Sequence, residues 1–307
     1  MKLGHLRDVV AVAQLGSLRA AGRHLGVAQP AITRSIREIE HELGVSLFER
    51  HAKGVRLTTM GTAFVRRAEA VAAELQRARD EIEQMKGRTT GEVSCALSTA
   101  STMALMPDAV ATFRKRYPDA VLKISESMFQ PIEASVIDGS IDFYVGPIDE
   151  SFSSPHLSVE RLFENRRMVV ARTGHPLAGA RTLAELAGAQ WVRPTLSSRN
   201  TEGDFSALFE RAGLPPPQIV LHARSALIAL LAVASSDLLS IGPQQWLELP
   251  QIAQVISAIE LVEPIMAAPM CIVRRCDMPL TPMAEYLCDM MRRVGAHYLW
   301  RQSAAKR

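Results

Sequence analysis

Long apolar runs, paired cysteines and catalytic signatures are all missing from this 307-residue chain. The longest uninterrupted apolar stretch, ALIALLAVA from Ala226, is nine residues, under half of the ~20 that a bilayer-spanning helix needs. Arg7 and Asp8 interrupt the first apolar pattern, so a secretory leader does not fit and a cytoplasmic protein with no membrane partner is expected. The four cysteines, Cys95, Cys271, Cys276 and Cys288, form no C-x-x-C pair and have no histidine at metal-ligand spacing. Reduced thiols and no metal site are the expectation. G-x-S-x-G, G-x-G-x-x-G, the phosphate-loop Gly-Lys-Ser and H-E-x-x-H are also absent. His175 in GHPLAG and His222 in VLHARS stand alone, and Asp138 and Asp142 flank Gly139 where a helix runs into a strand. Isolated histidines and turn carboxylates are ordinary structural or solvated groups, so neither a catalytic residue nor a cofactor is predicted.

What is present is a composition of 48% hydrophobic and 22% charged residues, ordinary for a soluble globular protein large enough for two or three domains. Charge is unevenly placed. Residues 1 to 67 hold 11 Lys or Arg against 5 Asp or Glu, a formal +6, which leaves −3 for the remainder. A basic module on a mildly acidic body points to a polyanion contact confined to one end.

In that module Leu6, Val9, Val10 and Ala13 recur at helical spacing up to Gly16, and Ser17 stands at the N-cap position of a second helix ending at Gly26. A third helix starts Gln29-Pro30, where the missing N–H of proline costs nothing. Stepping about 100° per residue, Ile32, Ile36, Ile39 and Leu43 fall on one stripe, while Thr33, Arg37, His41 and Arg34 spread from about 40° to 140° on another face. Helix, tight turn and a second helix rich in amide, hydroxyl and guanidinium groups is the arrangement of a major-groove reader, in which Gln pairs with adenine and Arg with guanine. The bland alternative is an amphipathic helix with a solvated face.

Two neighbouring features favour the DNA reading. SLFERHAKGVRLTT predicts two short strands around Lys53-Gly54, a basic hairpin placed like a wing, with Lys53 and Arg56 able to reach phosphate or the minor groove. Phe64, Ala68, Val71, Leu75, Ala78, Ile82 and Met85 then follow at spacings 4, 3, 4, 3, 4, 3, a heptad seam along one helix capped by Thr58 or Thr59 and closed by Gly87. Such a seam predicts a linker helix that pairs two copies, with packing inside one chain as the alternative.

SLRAAGRHLGVAQPAITRSIREIEHELGVSLFER followed by GVRLTTMG resembles the LysR-type transcriptional regulators, and the resemblance runs through the whole chain. It implies double-stranded operator DNA as a partner, with DNA contacts at Gln29, Pro30, Thr33, Arg34 and Lys53, to which the helical wheel adds Arg37. Ala28 departs from the Ser that is common in the family and has no side-chain hydroxyl for a cap or a phosphate. The resemblance also implies a homotetramer, RNA polymerase as a candidate partner, and activation of an operon, repression of the regulator's own gene, or both.

After GRTTG, residues 87 to 91, the pattern turns to alternating strands and helices. VSCALS, VLKISES and DFYVG read as strands, with helices from Thr102 to about Arg116 and from Pro131 to Ile137 between them. A second series has strands at VERLF, MVVAR, IVLHA and LLSIGP, and helices at LAELAG and ALIALLAVA. MCIVRR and a helix from Pro282 finish the chain, with RQSAAKR after Trp300 as an unstructured tail. Alternation of this kind argues for α/β units with parallel pairing. The expected architecture is thus α/β: a winged helix-turn-helix over 1–58, a linker helix over 59–88 and an effector domain over 92–307. The resemblance implies that the last is two Rossmann-like lobes, like a periplasmic binding protein, with lobe I from about 92–162 and 266–300 and lobe II from about 163–265.

In open α/β sheets small ligands bind outside the carboxyl ends of strands. The first such end carries Ser98, Thr99, Ser101 and Thr102, and hydroxyls beside a helix start favour a small organic anion, unless Ser101 or Thr102 is merely an N-cap. Met128, Phe129 and Pro147 end the next strands, Leu196, Ser198 and Thr201 lie in the matching loop of the second lobe, and Gly242 and Pro243 end another strand. Together they make one expected effector pocket between the lobes. A small-molecule-binding protein without DNA function, or an enzyme with an accessory DNA module, are the competing classes.

Overall fold

The computed structural model describes residues 1–51, 54–194, 201–265 and 267–304, with backbone alone at 50, 201–204 and 301–304. Residues 1–88 make one compact unit, and nearly all of 89–307 makes the other.

The first unit opens with α1 (Leu3–Leu15), α2 (Leu18–Leu25) and α3 (Gln29–Leu43). Gly16 and Gly26 take left-handed φ values of 63° and 67°, which end the first two helices and turn the chain sharply. The Ser17 hydroxyl accepts the N–H of Ala20 at 3.3 Å and so caps α2. Leu6, Val9, Val12, Ala21, Ile32, Ile36 and Ile39 close over one core. Leu43 does not join it: the side chain is 38% exposed, because the packed stripe of α3 stops at Ile39, one turn before the helix end.

An antiparallel hairpin follows, β1 (Phe48–His51) with β2 (Gly54–Leu57), in register Phe48↔Leu57 and Glu49↔Arg56. Glu40 Oε1 accepts the N–H groups of Leu47 at 2.7 Å and Phe48 at 3.1 Å, which fixes the hairpin to α3. Thr58 caps α4 (Thr59–Met85) by accepting from Gly61 N at 2.9 Å, and donates to Ser46 O at 2.8 Å. The first turns of α4 join the hydrophobic core of this unit, through Val65, Ala68 and half-buried Phe64.

The second unit contains two lobes. Lobe I starts β3 (Glu92–Leu97), α5 (Thr99–Ala104), α6 (Met106–Arg116), β4 (Val121–Glu126), α7 (Phe129–Ile137), β5 (Phe143–Pro147) and β6 (Leu157–Phe163). Lobe II holds β7 (Arg167–Arg172), β8 (Gln190–Pro194), α8 (Thr201–Arg211), β9 (Gln218–Ala223), α9 (Ala226–Ala234), β10 (Ser240–Pro243), a 3-10 turn Gln244–Glu248, α10 (Pro250–Ala253) and β11 (Ile256–Ile259). The chain returns to lobe I with β12 (Met270–Arg275) and α11 (Pro282–Ala304). Among the described residues the lobe I sheet has the order β4-β3-β5-β12-β6.

Pairing is parallel for β4-β3-β5 but antiparallel where β12 meets β5 and β6. The expected parallel pairing thus holds for β3, β4 and β5, and the antiparallel β12 is an addition to it. β6 runs out toward lobe II and β12 runs back from it, so the returning strand must oppose its neighbours. In lobe II, β7 is antiparallel to both β10 and β11, while β8 and β9 are parallel. The single helix expected from Thr102 is two, α5 and α6, since Pro107 has no N–H to continue the ladder across the joint. The first part of the tail expected to be unstructured is helical, since α11 continues past Trp300 to Ala304.

Candidate nucleic-acid interface and effector site

Because Ile32, Ile36 and Ile39 seat one side of α3 in the core, the other side is held outward. Gln29, Pro30, Arg34 and Arg37 are exposed, and half-buried Thr33 donates its hydroxyl to Gln29 O at 3.1 Å. Ala28 gives α3 no side-chain cap. Lys2, at the N-cap of α1, and His5 within it line the same open groove as Arg34 and Arg37, and His5 Nε2 lies 3.3 Å from Glu38. These two basic residues escape a reading of α3 alone, since only the packing of α1 on α3 brings them there. Arg56 is exposed on the hairpin, and Lys53 lies outside the described residues.

On α4 the seam changes character along its length. Ala68 is buried and Phe64 half-buried, but Val71, Leu75, Ala78, Ile82 and Met85 are exposed, Met85 at 72%. Five of the seven seam positions thus leave their side chains exposed along α4.

In the second unit the expected effector residues divide by what they already touch. Ser98 is buried and caps α5, accepting from Ser101 N at 3.3 Å, and its hydroxyl lies 3.1 Å from Ser101 Oγ. The cap is therefore Ser98, and not Ser101 or Thr102. Thr99 donates to the carboxylate of Glu126 at the end of β4. Thr102, Met128 and Pro147 are half-buried. Phe129 is corrected from pocket wall to core residue, with its ring 5.3 Å from Tyr144 and 5.2 Å from Phe152. Gly242 is corrected as well: a Cβ there would fall 2.6 Å from the Trp246 ring, so that strand end is already covered. Pro243 is half-buried and pairs with Arg167 across β7. Leu196 and Ser198 lie outside the described residues, and Thr201 is described by its backbone at the start of α8.

The lobes meet through Met103 of α5, which packs on the lobe II cluster of Val170, Val192 and Trp246. Among the described residues no helix is long and apolar enough to cross a membrane.

A winged helix-turn-helix with an outward basic helix, followed by a long helix and a two-lobed α/β body, defines the class as a DNA-binding regulator. The model of the LysR substrate binding domain matches residues 86–296, and that of the bacterial regulatory helix-turn-helix protein of the lysR family matches residues 3–62. The chain belongs to the LysR family of transcriptional regulators. It is 29% identical to the HTH-type transcriptional regulator GbpR of Azospirillum brasilense over 240 residues, 77% of this chain and 70% of that one. It is likewise 29% identical to TdcA of Escherichia coli over 245 residues, 79% and 77% of the two chains. Among solved structures, full-length CbnR in complex with its target DNA superposes with a TM-score of 0.69 at 22% identity, covering 96% of this chain and 100% of that one.

Proposed function

We propose that this regulator works as a dimer, or a dimer of dimers, in which α4 pairs two copies and each α3 enters a major groove. The observation that carries the proposal is the pairing of two outward faces on one unit: the basic side of α3 and the apolar row of α4. Gln29, Pro30, Thr33, Arg34 and Arg37 are the proposed DNA contacts of the helix, with Lys53 of the wing. Base-edge contacts supply specificity and phosphate contacts supply position.

In the same proposal a small organic effector binds between the lobes, against the strand ends that carry Ser98, Ser101 and Pro147. The effector controls the regulator only by preferring one arrangement of the lobes over another, which shifts the population of DNA-binding geometries. Chromosomal fragments retained by the purified protein at fixed salt, then sequenced, test the DNA half of this reading. Discrete inverted-repeat sites near a few promoters are expected, and uniformly diffuse retention would reject it.

A further inference from the structure

Lys2 and Gly4, at the start of α1, line one open groove with Arg34, Ser35 and Arg37 of α3. Two carboxylates reach the same groove, and each already has a nitrogen beside it. Asp8 accepts from Arg7 Nη2 at 2.9 Å, and Glu38 lies 3.3 Å from His5 Nε2. Lys2, Arg34 and Arg37 have no such partner among the described residues, so the groove keeps an excess of positive charge.

Two further features suit the groove to an anion. At 13 residues α1 is a full helix, yet Lys2 gives it no side-chain cap and its first turn holds no acidic residue, so the N–H groups of Leu3 and Gly4 are unanswered. A Cβ built on Gly4 would meet nothing within 4 Å, which leaves the approach to those groups open. Deeper in the groove stands Ser35, only 7% exposed, whose hydroxyl makes no hydrogen bond. A buried hydroxyl without a partner is a free-energy cost that an incoming oxygen removes.

We infer that this groove seats one phosphate of the DNA backbone, held by the Lys2 ammonium, the N–H groups at the start of α1 and the Ser35 hydroxyl. The inference rests on the DNA reading above and adds to it a site on α1. The groove is open and also carries Gln29 and Thr33, so it accommodates a strand rather than enclosing a small ion. Leu6 and Val9 of α1 share one core with Ile32 and Ile36 of α3, so a phosphate gripped by α1 fixes the position from which α3 reads bases. Such a contact sets register and carries no sequence information of its own.

The test uses full-length protein and an operator recovered from the chromosomal fragments, in gel shifts over a series of salt concentrations. Lys2→Ala should weaken binding about threefold to tenfold, lower the slope of log affinity on log salt by about one, and keep the wild-type ranking of operator variants. Lys2→Arg should restore the slope. Ser35→Ala removes an uncharged group, so it should weaken binding with the slope unchanged. Neither side chain makes a hydrogen bond in the folded chain, so both variants should keep the wild-type melting temperature. Neutral methylphosphonates placed one at a time along the operator should reveal a position that weakens wild type but not Lys2→Ala. An unchanged slope in Lys2→Ala, unchanged affinity in Ser35→Ala, or equal methylphosphonate sensitivity in both proteins overturns the phosphate site and leaves the α3 contacts standing. Displacement of the operator from wild type by inorganic phosphate at matched ionic strength would assign the groove to the free ion and overturn the DNA occupant. Wild-type protein that prefers no operator overturns both the site and the DNA reading.

Discussion

Tyr298 donates its hydroxyl to Glu248 Oε1 at 2.5 Å, and so joins the C-terminal helix of lobe I to the 3-10 turn of lobe II. The same hydroxyl accepts from Gln245 Nε2 at 2.9 Å, and the Tyr298 ring packs 4.8 Å from Phe163, the last residue of β6 before the chain crosses between lobes. The turn is therefore gripped twice by lobe I, since its Trp246 also lies in the cluster that receives Met103 of α5. Any change in the lobe angle must move or break these contacts. Tyr298→Phe is expected to cost about 1–2 kcal/mol, a magnitude discounted because Glu248 is exposed, measured as a shift in the urea midpoint. Glu248→Gln, which keeps an accepting oxygen, should cost less. An unchanged midpoint in Tyr298→Phe would show that the tie carries no energy.

Arg34 tests the DNA face. The side chain is exposed and takes no part in the core beneath α3, so Arg34→Ala should leave folding and self-association unchanged. Loss of one base or phosphate contact is worth about 1–3 kcal/mol, roughly a tenfold loss of operator affinity or more in a gel shift at fixed salt. Equal affinity would remove Arg34 from the interface. A fall in the salt slope by about one, with specificity unchanged, would mark it as a phosphate contact.

The helix-turn-helix was the most legible part of the chain because its signals are local. Ser17, Gly26 and Gln29-Pro30 each act on the adjacent turn, and the isoleucine stripe of α3 has a clear period. The hairpin and the start of α4 could be read for the same reason. In the body, the strands were readable one by one, but their partners were not, since the antiparallel place of β12 depends on a crossover more than a hundred residues long. The effector site was least legible. Hydroxyls at Ser98, Thr99 and Ser101 look alike in sequence, yet packing commits one to a cap and another to Glu126. Phe129 and Gly242 are consumed by aromatic packing that only the fold reveals.

The apolar row of α4 gives a prediction about assembly. Val71 at 45% and Ile82 at 52% exposure contribute little to the fold of one chain, so replacing both by Asp should leave the melting behaviour of the monomer almost untouched. Charges on a paired seam meet their own copies across it, which adds repulsion to lost burial. Light scattering should show the double variant as a monomer at concentrations where wild type is dimeric or larger. A variant that keeps the wild-type mass would mean that α4 is not the pairing surface.

Thiol chemistry separates the four cysteines. Cys276 is exposed, while Cys95, Cys271 and Cys288 are buried. Burial pushes the Cys95 thiol up to about 12, with Asp142 adding to the effect, and likewise pushes Cys288 up to about 12. The thiolate is the nucleophile, and a group whose pKa is raised stays protonated at every pH below that value, so at pH 8 these two are both shielded and un-ionised. Native protein at pH 8 should therefore show one thiol reacting quickly with iodoacetamide, and mass spectrometry should place the label on Cys276. Raising the pH to 9 should leave Cys95 and Cys288 unlabelled, because both remain about three pH units below ionisation. Denaturant should release all four. Early labelling of Cys95 or Cys288 would show that lobe I opens on the timescale of the reaction, and the rate of that labelling would then measure the opening directly.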